Sequence, residues 1–140
     1  MIQKHKRFFS MGFTMIEMLV VVAIAAMLLS ITLVSIQQAR TKSRDATREQ
    51  HIKTIQSALA LDANTNGNYT VYDGYLTGTD VVSIGLKDSN SLSQMPQDPL
   101  NSGNYRYSYT SVDGSTYTLK YYLESDSILG KAAGLNQASP

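Results

Sequence analysis

The hydrophobic pattern of the N-terminal quarter predicts a membrane-spanning helix. Residues 13–36 read FTMIEMLVVVAIAAMLLSITLVSI and contain a single charged residue, Glu17. The 19 residues from Met18 to Ile36 carry no charge. As a helix they would be roughly 28 Å long, about the thickness of the hydrocarbon core of a bilayer. Because core helices of soluble proteins are rarely apolar on all sides over such a length, we assign residues 13–36 to a transmembrane helix.

The helix is predicted to continue well beyond the apolar run. Residues 37–63 contain neither Gly nor Pro, so nothing in them stops a helix. Their apolar residues recur on one stripe: Ile52, Ile55, Leu59 and Ala63. The charged residues are predicted to form an opposite, solvated face: Arg44, Asp45, Arg48 and Lys53. We therefore expect one helix of about 50 residues, with an amphipathic second half that ends at the run 64–67.

The remainder of the chain predicts a small antiparallel sheet. Residues 64–104 are rich in Gly, Ser, Asn, Asp and Thr, which indicates a long irregular connection that includes one short strand or helical turn. Residues 105–124 alternate Tyr and Leu around Asp113-Gly114, which predicts a β-hairpin. Residues 125–140 are predicted to be a loosely held tail. The expected fold class is α+β, with the sheet and loop packed on the C-terminal half of a long N-terminal helix.

The register of the hairpin follows from which residues must share a face. A two-residue turn at Asp113-Gly114 would put the tyrosines of the first strand opposite the apolar face of the second. A three-residue loop over 112–114, with Gly114 left-handed, keeps one apolar face. We favour this loop, which pairs Tyr109 with Tyr117, Tyr107 with Leu119, and Tyr105 with Tyr121.

Composition removes several classes of functional site. The chain has no cysteine, which excludes thiol catalysis, cysteine-ligated metals and disulfides. His5 and His51 lack carboxylate neighbours at metal-ligand spacing, and no acid/base pair stands out, so we do not expect an enzyme. A net charge of +1 gives no indication of nucleic-acid binding. All three Phe lie in the first 13 residues and all nine Tyr after residue 68, so the two ends suit different surroundings.

A distinctive motif joins a short leader to the apolar segment. Residues 1–12 carry three basic residues and no acid, and they end in Gly12. Phe13 and Thr14 follow, and Glu17 is the fifth residue counted from Phe13. This arrangement resembles the cleavage and methylation motif of type IV pilins and type II secretion pseudopilins. The spacing of residues 67–69, 95–99 and 104–109 is also similar to that of this family.

The resemblance implies processing followed by polymerisation. A prepilin peptidase would cut between Gly12 and Phe13 on the cytoplasmic side and methylate the new amine of Phe13. In a filament, Glu17 of one subunit would meet the Phe13 amine of its neighbour and set the axial register. The implied partners are further copies of the chain in a helical filament, the peptidase, and a pilus assembly platform in the cytoplasmic membrane. The chain would be single-pass with its N-terminus inside, and would later form part of a cell-surface pilus.

The position of the apolar run and of Glu17 is consistent with cleavage before residue 13. An ordinary secretory signal is cut after its apolar run, which would discard the span and leave Glu17 without a purpose. A lone carboxylate in lipid costs a few kcal/mol and is usually paired or functional, although Glu17 could also lie among the headgroups of a simple anchor. Basic residues flank both ends of the span, so charge alone does not decide the orientation. The stem proline and glycine and the C-terminal cysteines of many pilins are absent here.

Residues 62–73 also match the calcium-loop pattern D-x-N-x-N-G with an acid at the twelfth position. The four candidate oxygen ligands are Asp62, Asn64, Asn66 and Asp73. The competing interpretation is a helix C-terminus followed by polar turn residues. Calcium is the only cofactor that the sequence suggests.

Three alternatives to a pilus subunit remain at this stage. The first is a pseudopilin of a type II secretion or DNA-uptake machine, which would share the fold. The second is a membrane-anchored binding module that does not polymerise. The third is a secreted ligand-binding or enzymatic domain that begins after residue 36. The cations between Arg40 and Lys53 are expected to pair with acids of neighbouring subunits, with anionic lipid headgroups as the other option.

Overall fold

The computed structural model describes residues 12–140. The predicted leader, residues 1–12, therefore lies outside the described residues except for Gly12. The chain divides into two units at Gln38, and the second unit is Ala39–Pro140. The fold is α+β, as predicted, with one long N-terminal helix and a four-stranded antiparallel sheet.

Helix α1 runs from Met15 to Asn66, a stretch of 52 residues that contains neither Gly nor Pro. It ends where Gly67 adopts a φ of +82° and donates its backbone N–H to the carbonyl of Ala63 at 2.7 Å. A left-handed glycine after the last helical residue is a common way to end a helix. The helix therefore continues three residues beyond the predicted end of its amphipathic half at residue 63.

The segment that was predicted to be mostly irregular contains two elements. Strand β1 is Tyr72–Tyr75 and helix α2 is Val81–Asp88. Asp80 caps α2, because its side chain accepts a hydrogen bond from the backbone N–H of Ser83 at 2.9 Å. The buried side of α2 is formed by Val82, Ser83 and Leu86.

The sheet is a meander in chain order. Strand β2 is Ser108–Ser111, β3 is Thr118–Leu123 and β4 is Gly134–Ala138. The spatial order is β1-β2-β3-β4, with every neighbouring pair antiparallel. Strand β4 corrects the prediction of a loosely held tail, because it pairs with β3 along its whole length. Its small and polar residues carry little strand signal, so the partner strand decides the outcome.

The core lies between the second unit's part of α1 and one face of the sheet. The helix contributes the predicted stripe of Ile52, Ile55 and Leu59, whereas Ala63 is only half-buried. The sheet contributes alternate residues of the hairpin, all at most 3 % exposed: Tyr107, Tyr109, Tyr117, Leu119, Tyr121 and Leu123. Leu76, Val82, Leu86 and Met95 complete the cluster.

The predicted hairpin register is wrong by two residues, although the predicted face is correct. Tyr109 lies opposite Leu119 and Thr110 opposite Thr118, so Tyr109 does not pair with Tyr117. A slip of two residues keeps every side chain on its face, so the apolar pattern cannot exclude it. Hydrogen bonds in the loop distinguish the two registers: Asp113 accepts from the backbone N–H of Ser115 at 3.0 Å, and the Ser111 hydroxyl donates to the carbonyl of Thr116 at 2.7 Å.

Candidate functional site

A reciprocal pair of hydrogen bonds closes the N-terminus of α1. Glu17 accepts from the backbone N–H of Thr14 at 2.8 Å and from its hydroxyl at 2.7 Å. In return, the Thr14 hydroxyl oxygen accepts from the backbone N–H of Glu17 at 3.3 Å. This is a capping box, in which Thr14 is the N-cap and Glu17 is the third helical residue. The sequence Thr-x-x-Glu thereby holds the Glu17 carboxylate at the N-terminal end of the helix.

The Gly12–Phe13 peptide bond lies just before this cap. Gly12, Phe13 and Thr14 are outside the helix, which begins at Met15. Phe13 is 75 % exposed, and within residues 12–140 a Cβ built at Gly12 meets no atom closer than 4 Å. A peptidase needs a segment that is both accessible and free of helical hydrogen bonds, and this bond meets both conditions.

The first half of α1 presents apolar side chains to its surroundings on all sides. By length and composition it could cross a membrane, and none of the window that meets this criterion is buried. The large apolar residues whose side chains the structure describes here are about half exposed or more: Met15, Ile16, Met18, Leu19, Val20, Val21, Val22, Ile24, Met27, Leu28, Leu29, Val34 and Ile36. An exposed apolar surface of this size is typical of segments that contact lipid or other apolar helices.

The structure places Phe13 and Glu17, the predicted pair for filament register, at the same end of α1. Within one chain, the Glu17 carboxylate is engaged by Thr14 and not by Phe13. The predicted pairing joins two copies of the chain and stays a prediction.

A second group of functional interest is a buried network of charges in the second unit. Arg48 is fully buried and contacts three carboxylates. It donates to Asp98 through Nε at 2.7 Å and Nη2 at 3.1 Å, to Asp45 at 2.8 Å and to Glu124 at 2.6 Å. These contacts use four of the five guanidinium N–H groups, and the contact with Asp98 is bidentate, so a lysine would not replace Arg48. The network ties α1 to the end of β3 and to the loop that precedes β2.

Two of the three carboxylates of the network, Asp98 and Asp45, also organise local backbone. Asp98 accepts from the backbone N–H of Leu100 at 2.8 Å, which shapes the turn after Pro99. Asp45 accepts from the backbone N–H groups of Glu124 and Ser125, both at 2.9 Å. Among the described residues, no buried side-chain polar atom lacks a hydrogen-bond partner. Full satisfaction of this kind is what allows charges to be buried at all.

The pKa of Glu124 is lowered by its contacts in this network. Hydrogen bonds from Arg44 and Arg48 lower its pKa from 4.5 to about 2, against a smaller opposing effect of burial. Arg44 makes two contacts to this carboxylate, at 2.7 and 2.6 Å. The Glu124 carboxyl is therefore ionised at any physiological pH.

Two smaller polar clusters flank the core. Lys131 donates to Glu49 at 2.6 Å and also contacts the hydroxyl of Tyr121, which itself lies 3.1 Å from Glu49. The hydroxyl of Tyr107 lies 3.0 Å from Nδ1 of His51, and burial lowers the pKa of that histidine. These contacts hold the hydroxyl groups of Tyr107 and Tyr121 in place.

The charged face predicted for α1 needs a correction. Asp45 and Arg48 are fully buried and not solvated, and Arg44 pairs with an acid of its own chain rather than of a neighbour. The signal was present in the sequence. Extending the apolar stripe backwards at helical spacing from Ile52 reaches positions 48 and 45, so the buried face continues through charged residues. The sequence could not show that Asp98 and Glu124 would meet it.

The residues of the predicted calcium loop are not arranged as a loop. Asp62, Asn64 and Asn66 lie in the last turns of α1, where Asp62 accepts from the side-chain amide of Asn66 at 3.0 Å. Asp73 is in β1 and accepts from the Thr110 hydroxyl at 2.8 Å. Across residues 12–140, no group of three or more His, Cys, Asp or Glu could hold a metal ion. The geometry therefore lends the calcium hypothesis no support, and calcium binding stays untested.

Comparisons with known proteins add no relative. No protein-family model matches the chain, and neither a curated protein nor a solved structure is significantly similar to it.

Proposed function

We propose that the chain is the precursor of a type IV pilin-like filament subunit. The observation that carries this proposal is the apolar half of α1, exposed on all sides and preceded by an accessible Gly12–Phe13 bond and a capped Glu17. Cleavage at that bond would leave the apolar helix at the N-terminus of the mature subunit. A separate compact unit, Ala39–Pro140, would then form the outer part of the filament.

The energetics of the exposed helix favour assembly with copies of itself. Moving the apolar half from lipid into a bundle of identical helices changes its solvation little, so packing and polar pairing must supply the specificity. Glu17 is the only carboxylate in residues 13–36. Pairing it with the Phe13 amine of a neighbour would neutralise both charges inside the bundle and fix the axial stagger. The capping box supports this role because it directs the carboxylate towards the end of the helix where that amine would lie.

The first test is the N-terminus of the mature protein. Expressed in full with a prepilin peptidase, the chain should yield an intact mass and N-terminal sequence that begin at N-methylated Phe13. Gly12→Val should remain uncut; because the space around Gly12 is open, a failure to cut would reflect recognition by the peptidase and not misfolding. A mature form that retains Met1, or that begins beyond Ile36, would contradict the proposal.

The second test separates assembly from processing. Glu17→Ala should be cleaved and inserted like the wild type but should give at least about tenfold less sheared fibre, because the register pair is worth more than about 1.4 kcal/mol in an apolar bundle. Thr14→Ala is the matched control for loss of the capping box alone. Unchanged fibre yield from Glu17→Ala would leave a membrane-anchored module that does not polymerise. Short periplasmic fibres instead of surface fibres would identify a pseudopilin.

A further inference from the structure

Two basic residues near the start of the second unit are not used by the folded chain. Arg44 forms an ion pair with Glu124, and Arg48 forms ion pairs with Asp45 and Asp98. By contrast, Arg40 and Lys42 are exposed and form no ion pair with any of residues 12–140. Pairing within the subunit thus divides one basic segment into an internal part and an outward-facing part.

The outward-facing pair lies where the apolar run gives way to polar residues. Arg40 and Lys42 follow Ile36, the last residue of that run, by four and six positions. Only Gln37, Gln38, Ala39 and Thr41 intervene, and none of these is charged. The polar headgroup layer of a bilayer is about 5–8 Å thick on each side, which corresponds to roughly three to five helical residues. Long basic side chains can also extend along the helix to reach phosphates.

The placement of the two cations around the helix favours lipid over a protein partner. Residues two apart on an α-helix are separated by about 200°, so Arg40 and Lys42 face nearly opposite directions. One flat surface of a neighbouring protein can meet only one of them, whereas headgroups surround a membrane helix on all sides. The attraction must also be local. Removal of Lys4, Lys6 and Arg7 with the leader would leave nine basic against eleven acidic residues, an excess of negative charge.

We propose that Arg40 and Lys42 form a basic collar that binds the phosphate groups of anionic phospholipids in the leaflet next to the compact unit. The inference rests on the proposed membrane span. The collar would hold the subunit at a fixed depth in the membrane before assembly, and entry into a filament would require release of these lipids. Anionic lipid would thereby stabilise the subunit in the membrane relative to the subunit in the filament.

The test measures lipid selectivity next to the collar. The chain has no cysteine, so Ser43→Cys gives a single labelling site directly after the collar. The full chain, labelled there with bimane, is reconstituted at low density in phosphatidylcholine vesicles. Quenching by 5-doxyl phosphatidylglycerol is compared with quenching by 5-doxyl phosphatidylcholine. Each basic residue near an anionic headgroup favours association by about fivefold, so at low salt we expect phosphatidylglycerol to be preferred roughly five- to twentyfold.

Matched variants separate a local collar from bulk charge. Arg40→Gln with Lys42→Gln should remove the preference, as should 0.5 M salt, whereas Lys87→Gln with Lys120→Gln makes the same change in charge elsewhere and should preserve it. Equal quenching by the two lipids in the wild type, or equal loss in both double variants, would overturn the collar. Flotation with the vesicles is recorded in every sample. A chain that floats without lipid preference contradicts only the collar, whereas one that does not float contradicts the proposed span as well.

Discussion

Arg44 and Arg48 lie one turn apart on α1 and share the Glu124 carboxylate, yet they sit in different environments. The Arg44 side chain is 30 % exposed, whereas that of Arg48 is fully buried between Asp45 and Asp98. An exposed ion pair gains little because water screens it and its side chains lose entropy. A buried charge that loses its partner is strongly unfavourable because nothing replaces its lost hydration.

These environments predict different costs for the same substitution. Arg48→Ala should reduce the free energy of unfolding by about 3–5 kcal/mol, because it leaves Asp45 and Asp98 buried without their cation. Arg44→Ala should cost less, about 1–2 kcal/mol, because its bidentate pair with Glu124 is partly screened by water and leaves no charge fully buried. Denaturant titration of the full chain in detergent, followed by near-ultraviolet circular dichroism, measures both. All nine tyrosines lie after residue 68, so this signal reports only the compact unit. Similar costs for the two variants would contradict the assigned roles.

The shifted pKa of Glu124 predicts an acid-dependent loss of stability. Its folded-state pKa of about 2 lies below the ordinary value of 4.5. A lowered pKa contributes stability that is complete above pH 4.5 and is lost as the pH falls towards 2. The Tm of the compact unit should therefore decrease over that window, and Glu124→Gln, less stable at neutral pH, should show a flatter profile. Asp88→Asn, which removes an exposed acid, should keep the slope of the wild type; a slope unchanged by Glu124→Gln would contradict the prediction.

Among the secondary-structure elements, the β2–β3 loop fixes the hairpin register, which the alternation of apolar residues does not determine. The β2–β3 connection holds Gly114 at a φ of +76°, and its carbonyl accepts from the backbone N–H of Tyr69 at 2.8 Å. This contact joins the hairpin loop to the segment between α1 and β1. A Cβ at Gly114 would lie 2.9 Å from the Tyr69 carbonyl oxygen, too close for atoms held by backbone hydrogen bonds.

Comparison with Gly130 separates the cost of a left-handed backbone from the cost of the contact between a new Cβ and Tyr69. Gly130 has nearly the same φ, +77°, but a Cβ there meets nothing within 4 Å. Gly130→Ala should therefore cost only the left-handed penalty of about 1 kcal/mol. Gly114→Ala carries the same penalty plus the clash, and should cost at least about 2 kcal/mol. The same denaturant titration compares them, and equal costs would show that the loop can move away from Tyr69.

In the whole molecule, the two units differ in which side chains they expose and which they bury. The first unit exposes apolar side chains. In our proposal these side chains contact lipid before assembly and the helices of other subunits afterwards. The second unit buries an aromatic core together with charges that it neutralises internally. The proposed functions follow this division, with processing and register at residues 12–17 and lipid contact at Arg40 and Lys42.

Features that depend on local pattern could be predicted from the amino-acid sequence alone. Absence of Gly and Pro predicted the long helix, all-round apolarity predicted a membrane-length segment, and two-residue alternation predicted which hairpin residues face the core. The capping box of Thr14 and Glu17 was not predicted, although its Thr-x-x-Glu spacing is also a local signal. Each of these signals comes from residues within a few positions of one another, so no tertiary information is needed to detect it.

Features that depend on distant partners became visible only in the folded chain. Arg48 is buried because Asp98 and Glu124, 50 and 76 residues away, satisfy its guanidinium. The tail becomes strand β4 because β3 offers a free edge, and the hairpin register follows from loop hydrogen bonds that the period of two cannot distinguish. The charged residues left facing outwards could be identified only after the paired ones were known. A local pattern shows which side chains prefer burial, but only the fold shows which charges find a partner there.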